Sequence, residues 1–214
     1  MRTDDLIERL SGALEPAPKG QVVRVLGLGM GAGALLSALL MTATIGIRAD
    51  LIEAMGGSAF WLKFVYTLVV AGLALAIVDR LARPDGTAGR FALLLAVPIL
   101  VMAVLAAREF LPADATIQHA LIMGHSARVC SILIATLALP LFAGLFWSLR
   151  QLAPTRLTEA GAAAGLLAGS AAATIYAFHC TESTPTFILL WYSAGILATA
   201  LLGAALGRML LRWS

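Results

Sequence analysis

The chain has 214 residues, 60% hydrophobic and only 13% charged, with net charge +3 and mean hydropathy +0.92. An ordinary soluble domain carries roughly 25% charged residues, so there is too little polar surface here to coat a water-soluble globule. The basic residues are scattered over short segments and form no stripe, which excludes a nucleic-acid partner.

The first 24 residues are polar and contain Asp4, Asp5, Glu8 and Glu15. They do not resemble the short basic region that opens a secretory signal, so the segment is expected to stay in the mature protein. Thr3 or Asp4 caps a short predicted helix, with Leu6, Ile7, Leu10 and Leu14 as its apolar stripe and Pro16 and Pro18 at its end. So short a helix is marginal alone in water and orders on a surface. Its acidic residues argue for a protein groove over anionic lipid, and a tail without fixed structure is the alternative.

Six uncharged or nearly uncharged runs follow: Val25 to Ile47, Phe60 to Val78, Phe91 to Ala107, Val129 to Leu149, Ala160 to Phe178, and Phe187 to Leu206. Each is close to the roughly 20 residues that a helix needs to cross a bilayer. Only helices satisfy backbone polar groups there without a closed barrel, so the chain reads as all-α and polytopic. It divides into a tail at 1–24, a six-helix transmembrane domain at 25–207 and a second tail at 208–214. Pro98 and Pro140 should kink their helices. Lys63, near the end of the second run, is expected to snorkel to the headgroups as an anchor. Small residues repeat by four at Gly27 and Gly31, Gly29 and Gly33, Gly161, Gly165 and Gly169, and Gly203 and Gly207, which predicts close helix packing within the chain. Trp61, Tyr66, Trp147, Trp191, Tyr192 and Trp213 lie near run ends, as interfacial rings do.

With the N-terminus inside, the cytoplasmic side holds eleven of the 15 Lys and Arg residues, Arg80, Arg83, Arg150 and Arg156 among them, and the other side holds Arg48, Lys63, Arg108 and Arg128. That bias predicts both termini inside. One motif is a decoy: Gly29, Gly31 and Ala34 after Val22 to Leu26 match a dinucleotide-binding turn, but no strands and helices alternate downstream to build its sheet. Transport driven by buried charge is disfavoured because the run centres hold no ionisable residue.

Cys130, Cys180, His119, His125 and His179 all map to the outer side. The short turn from Arg150 to Glu159 makes the fourth and fifth helices antiparallel neighbours, so their outer ends and the two cysteines should be close. Three readings stay open: a disulfide staple, two unconnected thiols, or a sensor that is oxidised or that transiently holds a soft metal ion. His179, beside Cys180, is the better neighbour candidate; His125 and His119 are more simply loop residues.

A Thr3-Asp4-Asp5-Leu6-Ile7 tail with Leu10 and a Pro-containing linker, then six helices with one cysteine heading the fourth and one closing the fifth, resembles the NrsF family over nearly the whole chain. These are anti-sigma factors of the bacterial inner membrane that restrain extracytoplasmic-function sigma factors. The resemblance implies a non-enzymatic regulator whose sigma factor is released when a heavy metal or an oxidant acts on Cys130 and Cys180. Sigma contacts would come from Asp4, Asp5, Leu6, Ile7 and Leu10, with Arg83 and Arg150 in the inner loops. The chain lacks the His-x3-Cys-x2-Cys zinc motif of soluble anti-sigma domains, and no resident cofactor, nucleic acid or small-molecule substrate is expected. The expected signal route runs through the fourth and fifth helices, by a shift along the Gly161, Gly165 and Gly169 face. The alternatives are a small-solute transporter or channel, which would place polar groups at mid-membrane depth, and a membrane thiol oxidoreductase, which would usually need a CxxC pair.

Overall fold

A computed structural model describes residues 20–83 and 85–212. The tail residues Asp4, Asp5, Leu6, Ile7 and Leu10, with their predicted helix, lie outside them. The described residues form helices and turns without strands: α1 (Gln21–Thr44), α2 (Leu51–Met55), α3 (Ser58–Leu81), α4 (Gly89–Leu94), α5 (Ala96–Phe110), α6 (Ala115–Met123), α7 (Ala127–Leu152), α8 (Leu157–Tyr176), α9 (Pro185–Phe187), a π-turn (Ile188–Tyr192) and α10 (Ser193–Leu210).

Helices occupy all six predicted runs. Among the described residues, five are long and apolar enough to cross a membrane: Gln21–Thr44, Ser58–Leu81, Gly89–Phe110, Val129–Leu152 and Pro185–Leu210. The fifth run falls on α8, which is built largely of Ala, Gly, Ser and Thr and packs against α1, α3, α7 and α10 at the centre of the bundle. A helix with neighbours on most sides needs small residues for close approach more than it needs bulk apolar ones.

The prolines act as their chemistry requires. The break between α4 and α5 falls at Leu95, one residue beyond Leu94, whose carbonyl Pro98 cannot serve. α7 runs through Pro140, and the Ser37 hydroxyl of α1 donates to the Leu137 carbonyl at 2.8 Å beside the interruption.

Glycines set which helices interlock. A Cβ on Gly29 would collide with Gly144 and Ser148, which packs α1 on α7 and spends the decoy motif on helix contact. Cβ atoms on Gly161 and Gly165 would collide with the backbone of Gly203 and Thr199. The Gly161, Gly165 and Gly169 face therefore meets α10, not α7, which corrects the expected signal route. Gly27, Gly31 and Gly72, by contrast, have open space around them.

The basic residues divide between the two ends of the bundle. Ser148 of α7 donates to the Val25 carbonyl, and Arg208 of α10 donates to Thr158 of α8. The start of α1 and the end of α3 share a groove that includes Val23 and Asp79. Arg24, Arg80, Arg83, Arg150, Arg156 and Arg208 thus gather at one end, and Arg48, Lys63 and both cysteines at the other.

Candidate functional site: a buried thiol pair

Cys130 lies in the first turn of α7, and Cys180 follows α8 in the connection to α9. The Cys180 N–H still bonds to the Tyr176 carbonyl at 3.0 Å, so the last turn of α8 holds it in place. Both cysteines are free and buried. Their thiols are within side-chain hydrogen-bonding range of each other and of the Tyr176 hydroxyl. Two of the open readings are thereby narrowed: the pair is adjacent, and it is not stapled in this structure.

Two tyrosine rings, of Tyr176 and Tyr192, wall the pair with centroids 5.8 Å apart. Tyr192 closes the π-turn and is fully buried, not the interfacial ring its place near a run end suggested. Tyr66 is buried too, bonded to Ser193 at 2.7 Å. The wide turn is held against α7 because Ser131, next to Cys130, donates to the Trp191 carbonyl at 2.7 Å. The Tyr192 hydroxyl has no well-formed hydrogen bond and faces the sulfurs.

Lys63 departs furthest from expectation. Its side chain is 0% exposed, and its ammonium donates to the carbonyls of Cys180 at 2.7 Å and Glu182 at 2.8 Å. It does not snorkel, because two loop carbonyls beside the thiols offer its charge a better site than the surface.

Four further contacts clamp the Cys180 loop. Arg48 donates its backbone N–H to the Phe178 carbonyl at 3.1 Å and its guanidinium to the Cys180 carbonyl at 3.3 Å. His179 Nδ1 meets the Gly46 carbonyl at 2.9 Å; because a carbonyl only accepts, Nδ1 carries the proton. The Glu182 carboxylate accepts the His125 N–H at 2.6 Å, close against Gly124, where a side chain would collide with it.

The electrostatics favour charge at Cys180, which lies past the end of α8. A hydrogen bond from the Cys130 thiol, aided by the Lys63 ammonium, holds Cys180 below the ordinary thiol range against the opposing effect of burial. Arg48, bonded to both Asp50 oxygens at 2.7 Å, holds that carboxyl down to about 2.

The histidines do not join the sulfurs. His179 is committed to Gly46, His125 sits 3.5 Å from Glu182 and projects into solvent, and His119 lies exposed in a groove with Met123 and His125. Among the described residues no group of three or more His, Cys, Asp or Glu side chains converges, so a metal here would have two sulfur ligands. At the far end Arg83 pairs with Asp79 at 3.1 Å, and Arg150 is exposed in the last turn of α7.

Sequence reasoning reached the cysteines but missed Lys63, Tyr176, Tyr192, Arg48 and Glu182. The signal available for Lys63 was a lone charge six residues inside α3.

Comparison with known proteins gives the site its setting. The chain is 42% identical to the anti-sigma-F factor NrsF of Caulobacter vibrioides over 218 residues, covering 100% of both chains. It is 37% identical to a probable anti-sigma-F factor NrsF of Azospira oryzae over 213 residues, again covering 100% of both. No solved structure matches. These relatives are regulatory proteins, not enzymes, which removes the oxidoreductase alternative. The family model described as NrsF, negative regulator of sigma F, matches residues 10–213, and the chain belongs to that family.

Proposed function

We propose that this protein is an integral-membrane anti-sigma factor of the bacterial cytoplasmic membrane, with both termini inside. It holds an extracytoplasmic-function sigma factor and releases it when the Cys130 and Cys180 pair is modified from the periplasm. The membrane reading is supported by five long apolar helices and by an outer surface of exposed Leu35, Leu68, Leu100, Ile132 and Leu201. The sigma partner follows from the family and from the relatives' names. Docking is assigned to Asp4, Asp5, Leu6, Ile7 and Leu10 of the tail, with Arg83 and Arg150 at the end of the bundle from which the tail departs.

The observation that carries the sensing step is the pair itself: two free, buried thiols from different segments, side by side at the end opposite the arginines. Oxidation by a peroxide balances within the site. The Cys180 thiolate attacks one peroxide oxygen, the O–O bond breaks, and the sulfur becomes a sulfenic acid as hydroxide leaves and takes up a proton to become water. The Cys130 sulfur then displaces a second water, so two electrons pass to the peroxide and one S–S bond forms. A thiophilic ion would instead be held between the two sulfurs, with both thiol protons released.

The test is co-purification of the full chain with its sigma factor, before and after challenge with hydrogen peroxide or cadmium chloride. A Cys130→Ser, Cys180→Ser variant should retain sigma through the challenge. Release equal to that of the wild type would abandon the sensing step, and undiminished sigma capture after deletion of residues 1–14 would remove the tail as docking element.

A further inference from the structure

A buried ammonium is tolerated only where its hydrogen bonds are met, and at Lys63 the two acceptors are carbonyls of the sensing loop, one of them belonging to Cys180 itself. A backbone movement of Cys180 that carries its sulfur onto Cys130, or onto a shared ion, moves the Cys180 carbonyl with it. Lys63 then loses a partner or follows. The loop's other hydrogen bonds lead elsewhere: the Cys180 N–H to α8 itself, Arg48 to the connection after α1, and His125 to the turn before α7, while Phe178 adds ring contacts with Phe60 and Phe64 of the same α3.

The helix that Lys63 belongs to has somewhere to go. α8 and α10 meet backbone to backbone at Gly161, Gly165 and Gly203, where not even a methyl group fits, so that pair moves as one piece. α3, packed against α8 on one side, faces the opposite condition on its α1 side. Its Gly72 and the nearby Gly27 of α1 have nothing within 4 Å of where a Cβ would stand, and an apolar groove runs between the two helices. α3 is also unbroken from Lys63 to Arg80, so a displacement at one end reaches the other over about 25 Å at 1.5 Å per residue. There it carries Asp79 and Arg83, an exposed ion pair, and Arg80, whose guanidinium lies 4.8 Å from the centre of the Phe91 ring.

We infer that Lys63 is the positioning residue that couples the thiol pair to α3, and that α3 carries the change to the Asp79 to Arg83 end while α8 and α10 stay fixed. The inference rests on the sensing role proposed for Cys130 and Cys180. It gives the two states a physical difference, as any ligand-driven shift requires: with reduced thiols Lys63 holds both carbonyls, and with the modified pair it does not.

The experiment uses the full chain in bilayer nanodiscs with its sigma factor, challenged with hydrogen peroxide and separately with cadmium chloride. It reads cysteine modification by mass spectrometry, sigma release, and hydrogen exchange along the chain. In the wild type, exchange should rise at 79–90 and stay constant in 157–176 and 193–210. In Lys63→Met the pair should still be modified, but sigma release should fall by about tenfold, the order of an ordinary coupling between sites. Lys63→Arg, which restores the cation, should recover part of the release. Wild-type release from Lys63→Met, with the double cysteine variant unresponsive, overturns the coupling and leaves the sensing step standing. A responsive double cysteine variant overturns the sensing step itself. Should Lys63→Met fail to fold, the wild-type exchange pattern decides, since a change at 146–160 without one at 79–90 overturns the inference.

Discussion

A thiol reacts as its thiolate, and the surroundings of Cys180 favour that form: the Cys130 thiol donates to it and the Lys63 ammonium stands beside it. The consequence has a definite sign. A thiol whose titration is lowered carries a larger ionised fraction at neutral pH than an unperturbed one near about 8.5, which is still mostly protonated there. The alkylation rate of Cys180, followed by mass spectrometry under reducing conditions, should therefore level off below the pH at which a free thiol does, with Cys180 modified before Cys130. A rate still climbing steeply through pH 8 and 9 would show that burial prevails over its partners. At this scale the sequence was legible only in part. The nearness of Cys130 and Cys180 follows from a short turn between two long helices, a constraint of chain length. That Lys63 turns inward depends on the path of residues 180–182, which no periodicity encodes. Tyr192 looked interfacial because rings near run ends commonly are; it is buried because the π-turn rotates it toward the sulfurs.

Helix positions were legible because apolar length and flanking charge decide them, and Pro98 marked its break within a few residues. Helix partners were not, because a repeat of glycines by four says that something approaches closely but not what. Gly161, Gly165 and Gly169 find α10, while Gly29 and Gly33 find α7. Gly27 and Gly31, with the same spacing, find nothing. That contrast gives a paired test. Gly165→Ala would push a methyl group into the Thr199 carbonyl, which the two helix backbones cannot yield, and overpacking of this kind costs about 1–3 kcal/mol. Gly27→Ala and Gly72→Ala meet open space and should be neutral or slightly stabilising, since alanine is the better helix former. Thermal unfolding of the detergent-solubilised chain should rank Gly165→Ala well below the other two. Equal transitions would mean that the α8 and α10 contact is looser than its geometry.

For the whole molecule the decisive asymmetry is the gathering of arginines at one end and thiols at the other, which the sequence anticipated because short loops carry their charge in plain view. Which end faces the cytoplasm settles what the thiols can do. Facing out, they meet an oxidising space in which a reversible disulfide can form; facing in, they meet reducing thiols that would keep them open. Two surface positions report on this without touching the pair. In a background lacking both cysteines, His119→Cys lies exposed at the thiol end and Arg156→Cys exposed at the arginine end. A membrane-impermeant maleimide applied to intact spheroplasts should label His119→Cys alone, and both after permeabilisation. The reverse pattern would turn the molecule over. It would place Cys130 and Cys180 where glutathione governs them, and the coupling through Lys63 would then have to be read as a response to the cytoplasm instead of to the cell's surroundings.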